Sequence, residues 1–223
     1  MHTHNKTYLP AAGKDWLLPF YDSFTKLLGV EAVHGKLIHQ AAIISGQRVL
    51  EIGCGTGNLV ILAKRLCPTA QFVGIDPDPK ALALACRKAE RRGAAIQFEP
   101  GFSEELPYPD ASFDRVLSAF MLHHVQSDGK SLAVRESLRV LKPGGSLHFV
   151  DFDEGEHRTG GFHGFLASLV HSPHGSSSQH IVLGLMRDAG FEDSQEVAHE
   201  TTIMGRIVYY KAVRPPSSLS AIA

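Results

Sequence analysis

The 223-residue chain predicts an α/β fold, a mostly parallel sheet with helices on both faces and an antiparallel pair at its end. Three observations carry this. Strand-like and helix-like segments alternate between residues 48 and 152. The apolar runs VLEI, FVGI and VLSAF are consecutive rather than alternating, the pattern of strands buried on both faces. After a further helix, two strand-like segments near 192–198 and 201–210 lie too close together for a helical crossover, so they pair antiparallel.

Residues 1–13 read as frayed. From Asp15 to Ile44, apolar residues recur at helical spacing (Trp16, Phe20, Phe24, Leu27, Leu28, then Val33, Leu37, Ile38, Ala41), giving two helices broken near Gly29. RVLEI (48–52) is a strand, Leu59 to Leu66 a helix, QFVGI (71–75) a strand. Lys80 to Arg91 is a helix with Pro79 near its first turn, where a missing N–H costs nothing. AIQF (95–98) and Phe113 to Ala119 are strands, Lys130 to Val140 a helix, KPGG a turn and SLHFVDF (146–152) a strand. Ile181 to Ala189 is a helix closed by Gly190, suited to a left-handed cap.

Length allows one substantial domain and not two. Within a single domain spanning 1–223, the divisions are an N-terminal helical lid (1–45), a ligand-binding core (46–152), an insert (153–178), and a C-terminal helix with the antiparallel pair (179–212). The formal charge of −1 and pI near 6.9 leave no global basic field to attract nucleic acid or an anionic membrane. Cys54, Cys67 and Cys86 are widely spaced and form no CxxC pair, so they read as free thiols in a reducing, cytoplasmic setting. The N-terminus lacks the apolar core of a signal peptide, and no run of ~18 apolar residues predicts a membrane span.

The stretch VLEIGCGTGNL places Gly53, Gly55 and Gly57 at alternate positions directly behind the first strand. In a parallel sheet, ligands bind at the carboxyl ends of strands, where the loop turns into a helix. Glycine permits positive φ and removes Cβ, and the next helix offers unpaired N–H groups suited to a carboxylate or phosphate. Glu51 adds a carboxylate suited to a cationic group. A dinucleotide fingerprint would require glycine at position 58, which is Asn58, and no GxxxxGK[ST] is present. Asp76 ends the second strand. It is either a turn residue of DPDP or an acceptor for a ribose diol, with Pro77 offering an apolar surface to a purine. Paired with the glycine loop, it points to an adenosine-bearing ligand.

At these residues the sequence resembles the class I S-adenosylmethionine-dependent methyltransferases, and within them the small-molecule group that includes the ubiquinone/menaquinone C-methyltransferases. The segments that carry the resemblance are VLEIGCGTG, GIDPDPKALALA, GFSEELPYPDASFDRVLSAFMLHHV and RVLKPGGSLHFVDF, covering residues 48 to 152, with YDSFTKLLG and AGFED as weaker matches. The resemblance implies a Rossmann-like, seven-stranded sheet with an antiparallel last strand. It implies S-adenosylmethionine as cofactor, S-adenosylhomocysteine as product and a small-molecule methyl acceptor as partner. Glu51, Gly53, Cys54, Gly55 and Gly57 would flank the methionine part, Asp76 and Pro77 the adenosine, and the backbone at Ala119 and Phe120 the amino group. Relatives commonly carry Asp where this chain has Phe102. Here either Ser103 makes the adenine contact, or stacking and main-chain groups hold the ring.

His123 and His124 follow the fourth strand at the rim where a methyl group would lie. A histidine suits proton removal at neutral pH. The pair either serves as catalytic base or packs the loop, and His124 is also placed to touch the cofactor. Tyr21 is either a residue of the lid that reaches the cofactor or an exposed tyrosine, and Asp22 a helix cap. Asp151 and Asp153 either orient a substrate or form a solvated acidic turn. His157, His163, His171, His174 and His180 have no regular ligand spacing, so no metal is expected, and residues 157–178 read as a substrate cover containing Phe162, Phe165, Leu166 and Leu169. Cys54 reads as a small filler. The competing readings are an NAD(P)-dependent oxidoreductase, which would need GxGxxG, and a non-catalytic binder of the same cofactor or its product.

Overall fold

Consecutive apolar residues along β1 (Arg48–Ile52) are buried on opposite faces of one sheet. Leu50 and Ile52 join a core layer with Val116, Leu147, Phe149 and Met186, while Val49 joins another with Leu37, Leu59, Phe72 and Leu117. The computed structural model describes residues 28–153, 178–203 and 205–217. Around β1 the elements run α1 (Val30–Ala41), α2 (Asn58–Leu66), β2 (Gln71–Asp76), α3 (Pro79–Arg91), β3 (Gln97–Pro100), β4 (Phe113–Ala119), a 3-10 turn at Leu122–His124, α4 (Ser127–Val140), β5 (Leu141–Phe152), α5 (Ser178–Ala189), β6 (Glu192–Thr202) and β7 (Gly205–Val213).

The sheet has seven strands in the order β3-β2-β1-β4-β5-β7-β6. The first five pair in parallel, and β7 lies antiparallel between β5 and β6. This is the Rossmann-like, mostly parallel sheet with helices on both faces that the resemblance implies. Strand order reverses between β1 and β4, which opens a crevice at their carboxyl ends. Among the described residues, no helix is long and apolar enough to cross a membrane.

Several boundaries differ from the sequence reading. The break at Gly29 is the N-cap of α1, with φ 77°, and the helix expected before it falls outside the described residues. β3 lies two residues later than AIQF, because its register against β2 runs from Val73↔Gln97 to Asp76↔Pro100. KPGG is not a free turn: β5 starts at Leu141 opposite Phe113, then shifts register before Arg115↔Ser146, and left-handed Gly144 (φ 74°) absorbs the bend. The closing hairpin turns after Thr202, where Gly205 has φ 114°, so both strands extend further than their apolar residues indicate. α4 and α5 start at Ser127 and Ser178, ahead of their first apolar positions, because a helix's first turn need not be apolar.

Candidate functional site

The loop after β1 folds back onto β2. The N–H groups of Gly53 and Cys54 both donate to the carbonyl of Ile75, at 2.9 and 3.0 Å, and Gly57 N–H donates to the Cys54 carbonyl at 2.8 Å. Gly53, Gly55 and Gly57 are all left-handed. Their surroundings divide them. A Cβ on Gly53 would lie 2.3 Å from Met121 Cγ, and one on Gly57 would meet Ala85 and Phe98 at 3.0 and 3.2 Å. Only Gly55, of the three, faces open space. A side chain on Gly53 or Gly57 would therefore collide with the protein's own packing, while the backbone at Gly55 has open space beside it.

Asp76, at the end of β2, is buried. Its Oδ2 accepts from Gly55 N–H at 2.8 Å and its Oδ1 from Asp78 N–H at 2.9 Å. Burial raises its pKa, and these two backbone donors oppose that. A carboxylate has about four acceptor positions, so two more donors, such as a diol, can be received. The turn reading and the diol reading are thus compatible. Asp78 caps α3, accepting from Lys80 N–H at 2.8 Å, with Pro79 in the first turn.

Glu51 is 3% exposed and its Oε2 has no hydrogen-bond partner. Burial pushes its carboxyl well above the ordinary range; the Val60 N–H and the charge of Lys88 oppose this, and Asp76 adds to it. A buried carboxyl with an unsatisfied oxygen beside the glycine loop favours a cationic or donor group. Cys54 is also buried, and burial with Glu51 and Asp76 nearby pushes its thiol up, away from nucleophilic use. Its sulfur packs where a Cβ on Gly74 would come within 3.0 Å, the filler role read from sequence.

The segment after β3 lies beside Asp76, with Gly101 N–H donating to the Asp76 carbonyl at 3.2 Å. Phe102 and Pro77 are both half-buried. The Ser103 hydroxyl donates to Glu104 at 2.8 Å, which leaves its oxygen as an acceptor.

After β4, Phe120 takes φ 55°, a left-handed conformation strained for a side chain, and its N–H donates to the Val150 carbonyl at 2.9 Å. This turn sends Met121 against Gly53 and brings Ala119 and Phe120 to the rim. His123 Nδ1 lies 2.6 Å from Asp151 Oδ1, and His123 N–H donates to Asp151 Oδ2 at 3.1 Å. Phe152 N–H donates to Oδ1 at 2.8 Å. Burial would raise the Asp151 pKa, but the charge and hydrogen bond of His123 with the two backbone donors hold it below its usual value. The His124 ring is exposed on one side and lies tilted by 41° against His123 at 4.0 Å between centroids; partial burial on that side and the neighbouring His123 lower its pKa. Phe152 meets His123 edge-on at 5.2 Å and Phe120 at 5.0 Å, giving an aromatic wall.

Asp151 is buried, and the Asp153 side chain is only 4% exposed, so neither forms a solvated turn. Asp153 pairs with Arg206 of β7 at 3.1 Å and is committed to the sheet. Asp151 instead bonds the His123 ring and backbone. Tyr21, Asp22, the insert and four of its histidines lie outside the described residues, as does the side chain of His180. Lys88 was not foreseen: its Nζ donates to Thr56 Oγ1 and Asn58 Oδ1, at 3.1 and 2.5 Å. The available signal was a lysine on the face of α3 that otherwise carries Ala81, Leu82, Ala85 and Ala89.

Residues 49–145 match the family model described as a methyltransferase domain. The chain is 37% identical over 139 residues to the demethylmenaquinone methyltransferase of Deinococcus radiodurans, covering 61% of this chain and 57% of that one. It is 41% identical over 120 residues to the ubiquinone/menaquinone biosynthesis C-methyltransferase of Pseudomonas putida, covering 52% and 46%. The chain thus spans about half the length of these curated relatives. Among solved structures it resembles the phosphoethanolamine N-methyltransferase 2 of Haemonchus contortus in complex with S-adenosyl-L-methionine. That match has a TM-score of 0.74 at 16% identity and covers 95% of this chain and 61% of the other; it shows the fold alone. The chain has the class I S-adenosylmethionine-dependent methyltransferase fold and is related to the menaquinone methyltransferases.

Proposed function

We propose, for a chain with this fold, that it binds S-adenosylmethionine at the carboxyl ends of β1, β2 and β4 and methylates a small-molecule acceptor that gives up a proton to His123. The observation that supports this best is the arrangement of three acids along one sheet edge. Glu51 has an unsatisfied oxygen, Asp76 has acceptor capacity beside bare backbone at Gly55, and Asp151 holds His123.

Glu51 and the backbone at Ala119 and Phe120 would receive the amino-acid part of the cofactor. Asp76 would accept from the ribose diol, with Pro77, Phe102 and Ser103 around adenine. When bound, the cofactor supplies a methyl group already activated by its cationic sulfur. The protein's task is then to orient the acceptor and exclude water, which accounts for ~7–11 kcal/mol of barrier in favourable cases. With Nδ1 donating to Asp151, the basic nitrogen of His123 is Nε2, which takes the acceptor's proton. Asp151 fixes that tautomer and stabilises the imidazolium that results. His124, with its lowered pKa, stays neutral against the His123 ring. Phe120 and Phe152 give the acceptor an apolar wall.

The test is titration calorimetry with S-adenosylmethionine, S-adenosylhomocysteine and NAD(P), followed by incubation with acceptors bearing ionisable O–H, N–H or C–H groups and mass analysis. Binding of the S-adenosyl ligands with a methylated product supports the proposal. Binding with no product from any acceptor favours a cofactor-holding role. Binding of NAD(P) alone sinks both.

A further inference from the structure

Beyond the bonds of Gly53 and Cys54 to the Ile75 carbonyl, β2 and α3 hold the far half of the glycine loop through three further contacts. Asp76 accepts from Gly55 N–H at 2.8 Å. Ala85 backs Gly57 so closely that a Cβ there would be 3.0 Å from its own. Three residues further along the same helix face, Lys88 donates from Nζ to Asn58 Oδ1 at 2.5 Å and to Thr56 Oγ1 at 3.1 Å. Thr56 and Asn58 flank Gly57, whose φ is 78°, and Thr56 is 2% exposed. The lysine head thus fastens the loop on both sides of left-handed Gly57. Its positive charge also acts to lower the pKa values of Glu51 in β1 and His34 in α1.

We propose that Lys88 is a positioning residue: it presets the glycine loop in its ligand-binding shape and so sets the affinity for the S-adenosyl ligand. This rests on the reading of the site as a cofactor site. Glycine loses more conformational freedom on ordering than any other residue. Without the fastening, the ligand itself must order the loop, and that cost is subtracted from binding. Lys88 is three residues from Ala85 on a helix already packed against the loop, so one rigid element carries both contacts.

The experiment compares wild type, Lys88→Met, which keeps the aliphatic stem, and Lys88→Arg, which keeps the charge. Calorimetry gives the Kd for S-adenosylhomocysteine, hydrogen exchange reads the Gly55 and Gly57 amides without ligand, and thermal unfolding reads global stability. Lys88→Met is expected to weaken binding about tenfold and to speed exchange at those two amides, with Tm shifted by only about 2–4 °C, as for a change of ~1 kcal/mol in a chain this size. Lys88→Arg should recover part of both. Unchanged exchange in Lys88→Met overturns the proposal, whether or not affinity falls, since a loss of affinity without local loosening is general destabilisation. Faster exchange with affinity unchanged also overturns it. If the wild type binds no S-adenosyl ligand, the reading of the site fails, and the exchange comparison alone then decides whether Lys88 fastens the loop.

Discussion

Gly55 N–H donates to Oδ2 of Asp76 across 2.8 Å, so the residue that presents bare backbone and the residue that can receive a diol are held by one hydrogen bond. The first two strands therefore contribute to one site as a unit. Asp76→Ala should lower affinity for S-adenosylhomocysteine by roughly 10- to 100-fold, since hydrogen bonds to a charged group contribute ~1.5–3 kcal/mol. Unfolding of the same variant in denaturant should show a loss of about 1–3 kcal/mol from the two freed backbone donors. Unchanged affinity would remove Asp76 from the ligand site.

Gly53 and Gly55 have similar backbone conformations and different neighbours, and they separate packing from binding. Gly53→Ala drives its Cβ to 2.3 Å from Met121 Cγ at φ 71°, so it should destabilise the fold by ~2–4 kcal/mol and displace the β4 rim. Gly55→Ala, in open space at φ 50°, should cost about 1–2 kcal/mol of stability and yet reduce ligand affinity. Denaturant unfolding and calorimetry on the two variants measure both effects. Equal stability losses would contradict the division.

His123→Ala and Asp151→Asn should leave S-adenosylhomocysteine affinity within about twofold and reduce turnover of a proton-losing acceptor by roughly 10²- to 10⁴-fold, the usual contribution of general base catalysis. Steady-state rates against pH supply the check: the dependence on a basic group should vanish in His123→Ala. A variant that lost cofactor binding instead would assign His123 to the cofactor pocket.

His148 gives a stability prediction with a definite sign. Its ring is 1% exposed, bonded to Ser146 at 2.9 Å and near the Gln40 amide at 3.2 Å. Burial, with Arg115 and Lys211 adding to it, pushes its pKa down to about 3. The folded-state pKa lies below the unfolded value near 6.5, so the unfolded chain binds more protons between them. The contribution of His148 to stability should be flat above pH ~7 and fall as pH drops from about 6.5 towards 3, with roughly 2 kcal/mol of it lost by pH 5. His34, lowered to about 4 by burial and Lys88, adds to the same slope. Urea unfolding at pH 5 and 7.5 should show the difference shrink in His148→Gln. An unaltered slope would mean that His148 is not buried neutral.

The carboxyl edge of β1, β2 and β4 was readable because its signals are local. Consecutive apolar residues, glycines at 53, 55 and 57, and an acid at 76 each lie within a few positions of the strand they end. The contacts that complete the site are not local. His123 and Asp151 are adjacent only because β4 and β5 pair in register, and Lys88 reaches Asn58 only because α3 crosses the loop. The same distance hid the commitment of Asp153 to Arg206. The KPGG and AIQF boundaries were misplaced because strand ends there follow the neighbouring strand's register, which one segment's own residues do not reveal. Glycine's lack of a side chain serves a packed neighbour as readily as a bound molecule, so the packing against Gly53 and Gly57 was not legible in the sequence.

A crystal structure of the protein with S-adenosylhomocysteine tests the central claim most directly. The ribose hydroxyls should lie on Asp76, the amino group near Glu51 and Ala119, and the sulfur on the side of the crevice nearest His123. Ligand density elsewhere, or a crevice filled by the protein's own side chains at Gly55 in the presence of saturating ligand, would contradict it.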